Sequence, residues 1–141
     1  MRISTVNVNG IRAAARKGIA AWLEATAADV VLLQEVRAPA DITADIFAGT
    51  GYQVYTAVSE LKGRAGVAVA VREGTGVGEV RDHLGVGADG EPVGSEAPVD
   101  SGRWLEVELP DLQLRVVSAY LHSGVADNAE KWRQNTRILS G

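Results

Sequence analysis

Hydrophobic and polar positions follow two rhythms along this chain. Arg2 to Val8 alternates and is β-branched, which predicts a strand broken at Asn9-Gly10. Asn9 is also placed to cap the element that follows. From Ile11 to Ala27, the set Ile11, Ala15, Ile19, Trp22, Leu23 and Thr26 keeps a helical period, with alanine filling much of the rest. Asp29 to Gln34 is an apolar run too short for a stable helix and reads as a central buried strand, giving a βαβ-like opening. Asp41 to Phe47 predicts a short helix ended by Gly49 and Gly51.

Tyr52 to Ala57 alternates as a strand, and Gly66 to Arg72 is another with Val67, Val69 and Val71 on one face. Val77 to His83 is a weaker strand, and Gly85 to Gly102 has the Gly, Asp, Pro and Ser content of a long surface loop. Arg103 to Leu109 and Gln113 to Tyr120 predict a hairpin turned at Pro110-Asp111. Ala129 to Leu139 reads as a helix, after which an αβ unit normally returns to the sheet; the chain stops at Ser140-Gly141 instead. The order of elements gives an α/β class with a mixed (α+β) sheet in one domain.

Composition narrows the setting. A chain of 141 residues, 46% apolar and 23% charged, is long enough to bury a core and reads as globular. No apolar run reaches bilayer-spanning length and no signal peptide precedes the first strand, so the expectation is a cytoplasmic protein without a membrane partner. The absence of cysteine excludes disulfides, thiolate metal sites and a cysteine nucleophile. A net charge of −4 lowers the case for nucleic acid, although a binding footprint is local.

Two apolar strands end abruptly in polar groups, at Asn7-Val8-Asn9-Gly10 and at Gln34-Glu35-Val36-Arg37. Open α/β sheets place their sites at the carboxyl ends of strands. A carboxylate and a carboxamide brought together there are hard oxygen ligands suited to Mg²⁺. The plainer alternative for Glu35 is a surface carboxylate paired with Arg37 or Arg12; for Asn7 and Asn9 it is turn and cap duty. Lys62-Gly63-Arg64-Ala65-Gly66 is a basic turn in which Arg64 either contacts phosphate or is a solvated hairpin entry. Arg103, after Ser101-Gly102, either holds a carboxylate or meets a phosphate. Ser118-Ala119-Tyr120-Leu121-His122-Ser123-Gly124 again ends a strand in polar groups. There Tyr120 donates to a phosphate or is a core tyrosine with its hydroxyl at the rim. His122 is an acid, a base or a ligand, or none of these, and His83 receives no role. Ser123 lacks a His/Asp partner, so a serine hydrolase is disfavoured.

In this order, Val6-Asn7-Val8-Asn9-Gly10-Ile11-Arg12, Leu33-Gln34-Glu35-Val36-Arg37, Gly63-Arg64-Ala65-Gly66-Val67-Ala68-Val69, Gly102-Arg103 and Ser118 to Gly124 resemble the exodeoxyribonuclease III and AP-endonuclease family. That family lies within the endonuclease/exonuclease/phosphatase superfamily. The resemblance implies a four-layer α/β sandwich of the deoxyribonuclease I-like type, two packed mixed sheets flanked by helices with the site at their shared edge. This chain would supply about half of it, roughly one sheet and one wall of the site. Glu35 would be the metal ligand with Asn7 beside it, Asn9 would lie near the metal's water shell, and Tyr120 would contact the scissile phosphate. Asn9, Arg64, Arg103 and His122 would face the nucleic acid, although His122 stands where the family often has proline.

The implied cofactor is Mg²⁺, with Mn²⁺ as its substitute. The implied partner is duplex DNA bearing abasic sites or 3′ ends, and the reactions are 3′→5′ exonuclease cleavage and abasic-site incision. Family members are much longer. Their second half supplies a Gly-Asp-x-Asn strand end, a late Asp and an Asp-His pair, none of which follows Gly124 here. Residues 1–141 are therefore expected to be the N-terminal part of a single domain, inactive alone and prone to associate, though monomeric when complete. Two rivals remain: an inactive fragment with weak DNA or metal binding, and a phosphodiesterase acting on a phosphoinositide, sphingolipid or nucleotide. The Asn-Gly-Ile-Arg and Gly-Arg-Ala-Gly turns favour the DNA branch.

Overall fold

Residues 1–82 and 101–121 are described by the computed structural model, so His83, most of the Gly85 to Gly102 loop, His122 and the Ala129 to Leu139 helix lie outside the described residues. The chain order is β1 (Ile3–Asn7), α1 (Ile11–Arg16), α2 (Ile19–Thr26), β2 (Val30–Gln34), α3 (Ala40–Phe47), β3 (Tyr52–Ala57), β4 (Val67–Arg72), β5 (Val80–Arg81), β6 (Trp104–Leu109) and β7 (Leu114–Ala119). Two sheets form. The first has the order β1-β2-β4-β3 and the second β5-β6-β7. β1 and β2 run parallel with Asn7 beside Gln34, while β4 is antiparallel to both of its neighbours, so the first sheet is mixed as expected.

The valine and alanine alternation of β4 explains its place. Val67, Val69 and Val71 face the second sheet and join Leu105, Val107, Leu109 and Val116 in one core. Ala68 and Ala70 face the other way, into a second core with Ile11, Leu23, Val31, Leu33 and Phe47. Small residues on that face let the helices approach closely, and branched ones fill the wider gap between sheets. The layers are thus helices, first sheet and second sheet. Strands of both sheets come from this chain, which corrects the expectation of about one sheet; the hairpin β6-β7 had been legible but not its separation from β4.

The helix expected over Ile11 to Ala27 is two helices. Gly18 adopts the left-handed conformation (φ 98°) between them, at a position where glycine carries no steric penalty. Trp22, expected on the buried face, is exposed, whereas Ile19 and Leu23 are buried. Asn9 does not cap α1 either: the N-cap is Gly10, with no side-chain hydrogen bond. The β6-β7 connection is a short 3₁₀ turn at Pro110–Leu112, followed by Gln113 at φ 53°. Of the weak Val77 to His83 strand, Val80–Arg81 is strand among the described residues.

On the outer face of the second sheet, Glu106 is almost buried between Arg81 and Arg115, and Arg115 also pairs with Glu108. Burial raises the Glu106 carboxyl, but hydrogen bonds from Arg81 and Arg115 outweigh it, and the group titrates below its ordinary value. A lowered folded-state value supplies stability that is present above the unfolded value, 4.5, and is lost as pH falls through the folded one. Urea unfolding of Glu106→Gln is expected to show a loss of about 1–3 kcal/mol at neutral pH and a shallower fall in stability below pH 4.5 than the parent chain. Gly102 (φ 67°) makes a second test, because a Cβ there would overlap the Ser59 backbone nitrogen. Gly102→Ala is expected to cost about 1–3 kcal/mol by the same measurement.

Candidate active site

The carboxyl ends of β1, β2 and β7 and the starts of β4 and β6 meet at one end of the two sheets. At that end a short polar layer closes the apolar core. Ser118, fully buried, donates from Oγ to the Leu33 carbonyl oxygen at 2.7 Å and accepts from Gln34 Nε2 at 3.1 Å. Gln34 Nε2 also donates to Thr5 Oγ1 at 3.1 Å. This clip ties β1, β2 and β7 together across the two sheets. One or two residues further along the same strands stand Asn7, Glu35 and Tyr120.

Glu35 is held on both oxygens. Asn7 Nδ2 donates to Oε2 and Arg37 Nη2 pairs with Oε1, while only 14% of the Glu35 side chain is exposed. The Asn7 amide is oriented by its other end, because Oδ1 accepts the Asn9 backbone N–H at 3.0 Å. Asn9 therefore acts here through its backbone. The plain alternative for Glu35, pairing with Arg37, is realised in this geometry; Arg12 is not its partner among the described residues.

Local backbone explains how residues 35 and 37 face the same way. Glu35 (φ 54°) and Arg37 (φ 56°) are both left-handed, flanking the buried Val36. Each such residue costs on the order of 1–3 kcal/mol. Four backbone hydrogen bonds hold the segment: Gly10 N–H to the Glu35 carbonyl at 2.7 Å, Ile11 N–H to Val36 at 2.9 Å, and the Val36 and Arg37 N–H groups to Gly66 and Ala65 at 2.9 Å. Gly66 is needed there, with φ 86° and a Cβ position only 3.2 Å from the Arg37 nitrogen. Its own N–H reaches the Gly102 carbonyl at 2.8 Å, which links the first sheet to the loop entering β6.

Tyr120 and Arg103 form a second pair. The Tyr120 N–H donates to the Arg103 carbonyl at 2.8 Å, Arg103 Nη1 donates to the Tyr120 carbonyl at 3.3 Å, and the guanidinium lies 5.1 Å from the ring centroid. The Tyr120 hydroxyl has no hydrogen bond among the described residues. Arg64 is exposed and lies with Arg12, Arg37 and Lys62 around a cavity of about 320 Å³ between the start of α1 and the 58–66 loop. Of the anticipated residues, the structure thus joins Asn7, Asn9 and Glu35 directly. It puts Tyr120 and Arg103 together and sets Arg64 at the adjoining cavity; His122 lies outside the described residues. Gln34 and Ser118 were not anticipated, though both are polar residues interrupting apolar strand ends, which was the available signal.

No cluster of three or more His, Cys, Asp or Glu side chains exists among the described residues. A single reachable carboxylate fits Mg²⁺, which commonly takes one or two carboxylates and keeps water or substrate oxygens for the rest. It does not fit an all-protein cage of the kind Zn²⁺ takes in structural sites.

The sequence pattern of the Endonuclease/Exonuclease/phosphatase family matches residues 4–137. The chain belongs to this family. Solved structures agree with the fold: an AP endonuclease from Archaeoglobus fulgidus (TM-score 0.74, 24% identity, 99% of this chain and 49% of that one) and the APE2 catalytic domain from Xenopus laevis (0.69, 25%, 98% and 50%). A Neisseria 3′ phosphatase, NExo, bound to a product DNA hairpin matches similarly (0.73, 22%, 99% and 49%). The chain spans about half the length of each of these structures. No curated protein sequence matches it.

The polar clip generates a test within this family framework. Ser118→Ala leaves the buried Leu33 carbonyl and the Gln34 amide each short of a partner, and is expected to cost about 1–3 kcal/mol in urea unfolding. Ser118→Thr, which keeps the hydroxyl, should cost less; equal losses in the two variants would assign the effect to packing.

Proposed function

We propose that this chain is the N-terminal half of a Mg²⁺-dependent DNA phosphodiesterase of the exodeoxyribonuclease III and AP-endonuclease type. The observation that carries the reading is the single oriented carboxylate of Glu35, set by Asn7 at the carboxyl ends of the strands in a chain of this family. Glu35 would hold the ion, for which Mn²⁺ could substitute. The ion would supply Lewis-acid polarisation of a non-bridging phosphate oxygen. Asn7 keeps the carboxylate aimed, with its own amide fixed by the Asn9 N–H. The Tyr120 hydroxyl is available to donate to a phosphate oxygen, and Arg103 against its ring limits where that hydroxyl can swing. Arg64 would contact the backbone of duplex DNA. The groups that orient and activate the attacking water would come from sequence beyond this half, so the chain alone is expected to be inactive.

The test is Mg²⁺-dependent cleavage of a duplex carrying one abasic-site analogue. The 141-residue chain should not cleave, and the same chain continued by a family second half should. In the continued protein Glu35→Ala is expected to lower turnover at least about a hundred-fold, while Arg64→Ala weakens binding and reduces the salt slope by about one. Cleavage that survives Glu35→Ala would remove this carboxylate from the site. Turnover of a phosphoinositide or nucleotide diester in preference to DNA would move the reading to the non-DNA branch.

A further inference from the structure

Arg37 stands between two features that would otherwise be separate. Its Nη2 pairs with Glu35 Oε1, and the same residue lines the cavity of about 320 Å³ that Arg12, Lys62 and Arg64 also line, with Glu60 the one acid among them. With Arg37 in place, Glu35 has no oxygen left without a donor, since Asn7 holds the other. A dication approaching the carboxylate meets a neutralised pair and a like charge. The guanidinium can leave Glu35 only by swinging outward or into the cavity, and 42% of its side chain is already exposed. The cavity side is repulsive while its three other cations outnumber the single Glu60 carboxylate, and becomes attractive once a further anion sits there.

We propose that Arg37 couples metal occupancy at Glu35 to anion occupancy of this cavity. The inference rests on the reading of Glu35 as the metal ligand. A phosphate-like anion draws Arg37 off the carboxylate and frees Oε1 for the ion; an ion on Glu35 releases Arg37 to complete the anion site. By linkage the two effects are equal, so each ligand tightens the other by the same factor. The left-handed backbone at Glu35 and Arg37, fixed by the hydrogen bonds to Gly10, Ile11, Ala65 and Gly66, keeps both side chains on one side while the guanidinium moves. Metal held weakly until a phosphate arrives would limit cleavage to occasions when substrate is seated.

The experiment is a Mn²⁺ titration, read by electron paramagnetic resonance of free Mn²⁺, on the 141-residue chain at constant ionic strength in chloride or in sulfate, corrected for sulfate pairing with the ion. Sulfate is expected to tighten Mn²⁺ about ten-fold in the parent chain. Arg37→Ala should bind Mn²⁺ about ten-fold tighter than the parent in chloride, and gain less than about two-fold from sulfate. Arg37→Gln, which keeps most of the side-chain volume, should behave as Arg37→Ala and serves if the alanine variant does not fold. Unchanged or weaker Mn²⁺ binding in both variants, or undiminished sulfate coupling, overturns the proposal and leaves the pair as a structural contact. Equal Mn²⁺ binding by the parent and Glu35→Ala is a different failure, that of Glu35 as ligand. A second arm replaces sulfate with a short phosphorothioate duplex. Coupling by both probes supports the proposal and assigns the anion to a nucleic-acid backbone; coupling by sulfate alone supports it with a free phosphate as the ligand.

Discussion

A strand buried on both faces has to satisfy two packing partners at once, and β4 carries that constraint for the whole structure. Its valines are committed to the second sheet and its alanines to the helices, so neither face can rotate outward without exposing a core. β2 and β3 pair on its two sides, and β1 is placed by β2. The register that follows puts Asn7 beside Gln34, and therefore the β1 turn beside Glu35. The start of β4 is equally constrained. Gly66 and Ala65 accept the N–H groups of Val36 and Arg37, so the strand that organises the core also shapes the segment bearing the carboxylate.

Where the core ends, polarity increases in a definite order. Apolar residues give way to the Thr5, Gln34 and Ser118 layer, and that layer to Asn7, Glu35 and Tyr120. Ser118 has both of its hydrogen-bonding roles filled, as donor to Leu33 and acceptor from Gln34, so it can be fully buried at low cost. The layer does two things at once. It ends the sheet-to-sheet packing with its own Ser118 and Gln34 groups hydrogen-bonded, and it fixes the strand carrying Tyr120 relative to the strand carrying Glu35. A wholly apolar end would leave the two sheets free to slide where the site needs them fixed.

Periodicity made the strands readable because a two-residue alternation or an uninterrupted apolar run leaves few alternatives; β2, β3 and β4 lie within a residue of their expected limits. The helical stretch was misjudged for the opposite reason. Alanines are compatible with one long helix or two short ones, and Gly18 decides between them through backbone conformation rather than hydropathy. Trp22 shows the same weakness, since a bulky apolar residue near the right phase was read as buried although the break at Gly18 rotates it outward. The strand-end motifs pointed to Asn7 and Glu35, whereas the left-handed conformations at Glu35 and Arg37 had no sequence signal, because neither residue is a glycine. What turns Arg37 toward Glu35 is contact with Ala65 and Gly66, and contacts nearly thirty positions away are not written in local pattern.

If Glu35 is the metal ligand proposed above, the carboxylate is the point where the structural and chemical demands on this chain would conflict. Folding favours the arrangement found, with Glu35 neutralised by Arg37 and fixed by Asn7, because a partly buried charge without partners is costly. Metal chemistry requires that the same carboxylate be available to a cation. Asn7 does not have to move to resolve this, since an amide hydrogen bond to one oxygen leaves the other for the ion and keeps it aimed. Arg37 would have to move, and it is the more exposed of the pair and borders a cavity rich in its own kind of charge. On the proposed reading, the chain would protect its own stability with the one interaction that would have to yield when a dication and a phosphate are both present, which would place the control of the site in a residue that need not touch the reacting atoms.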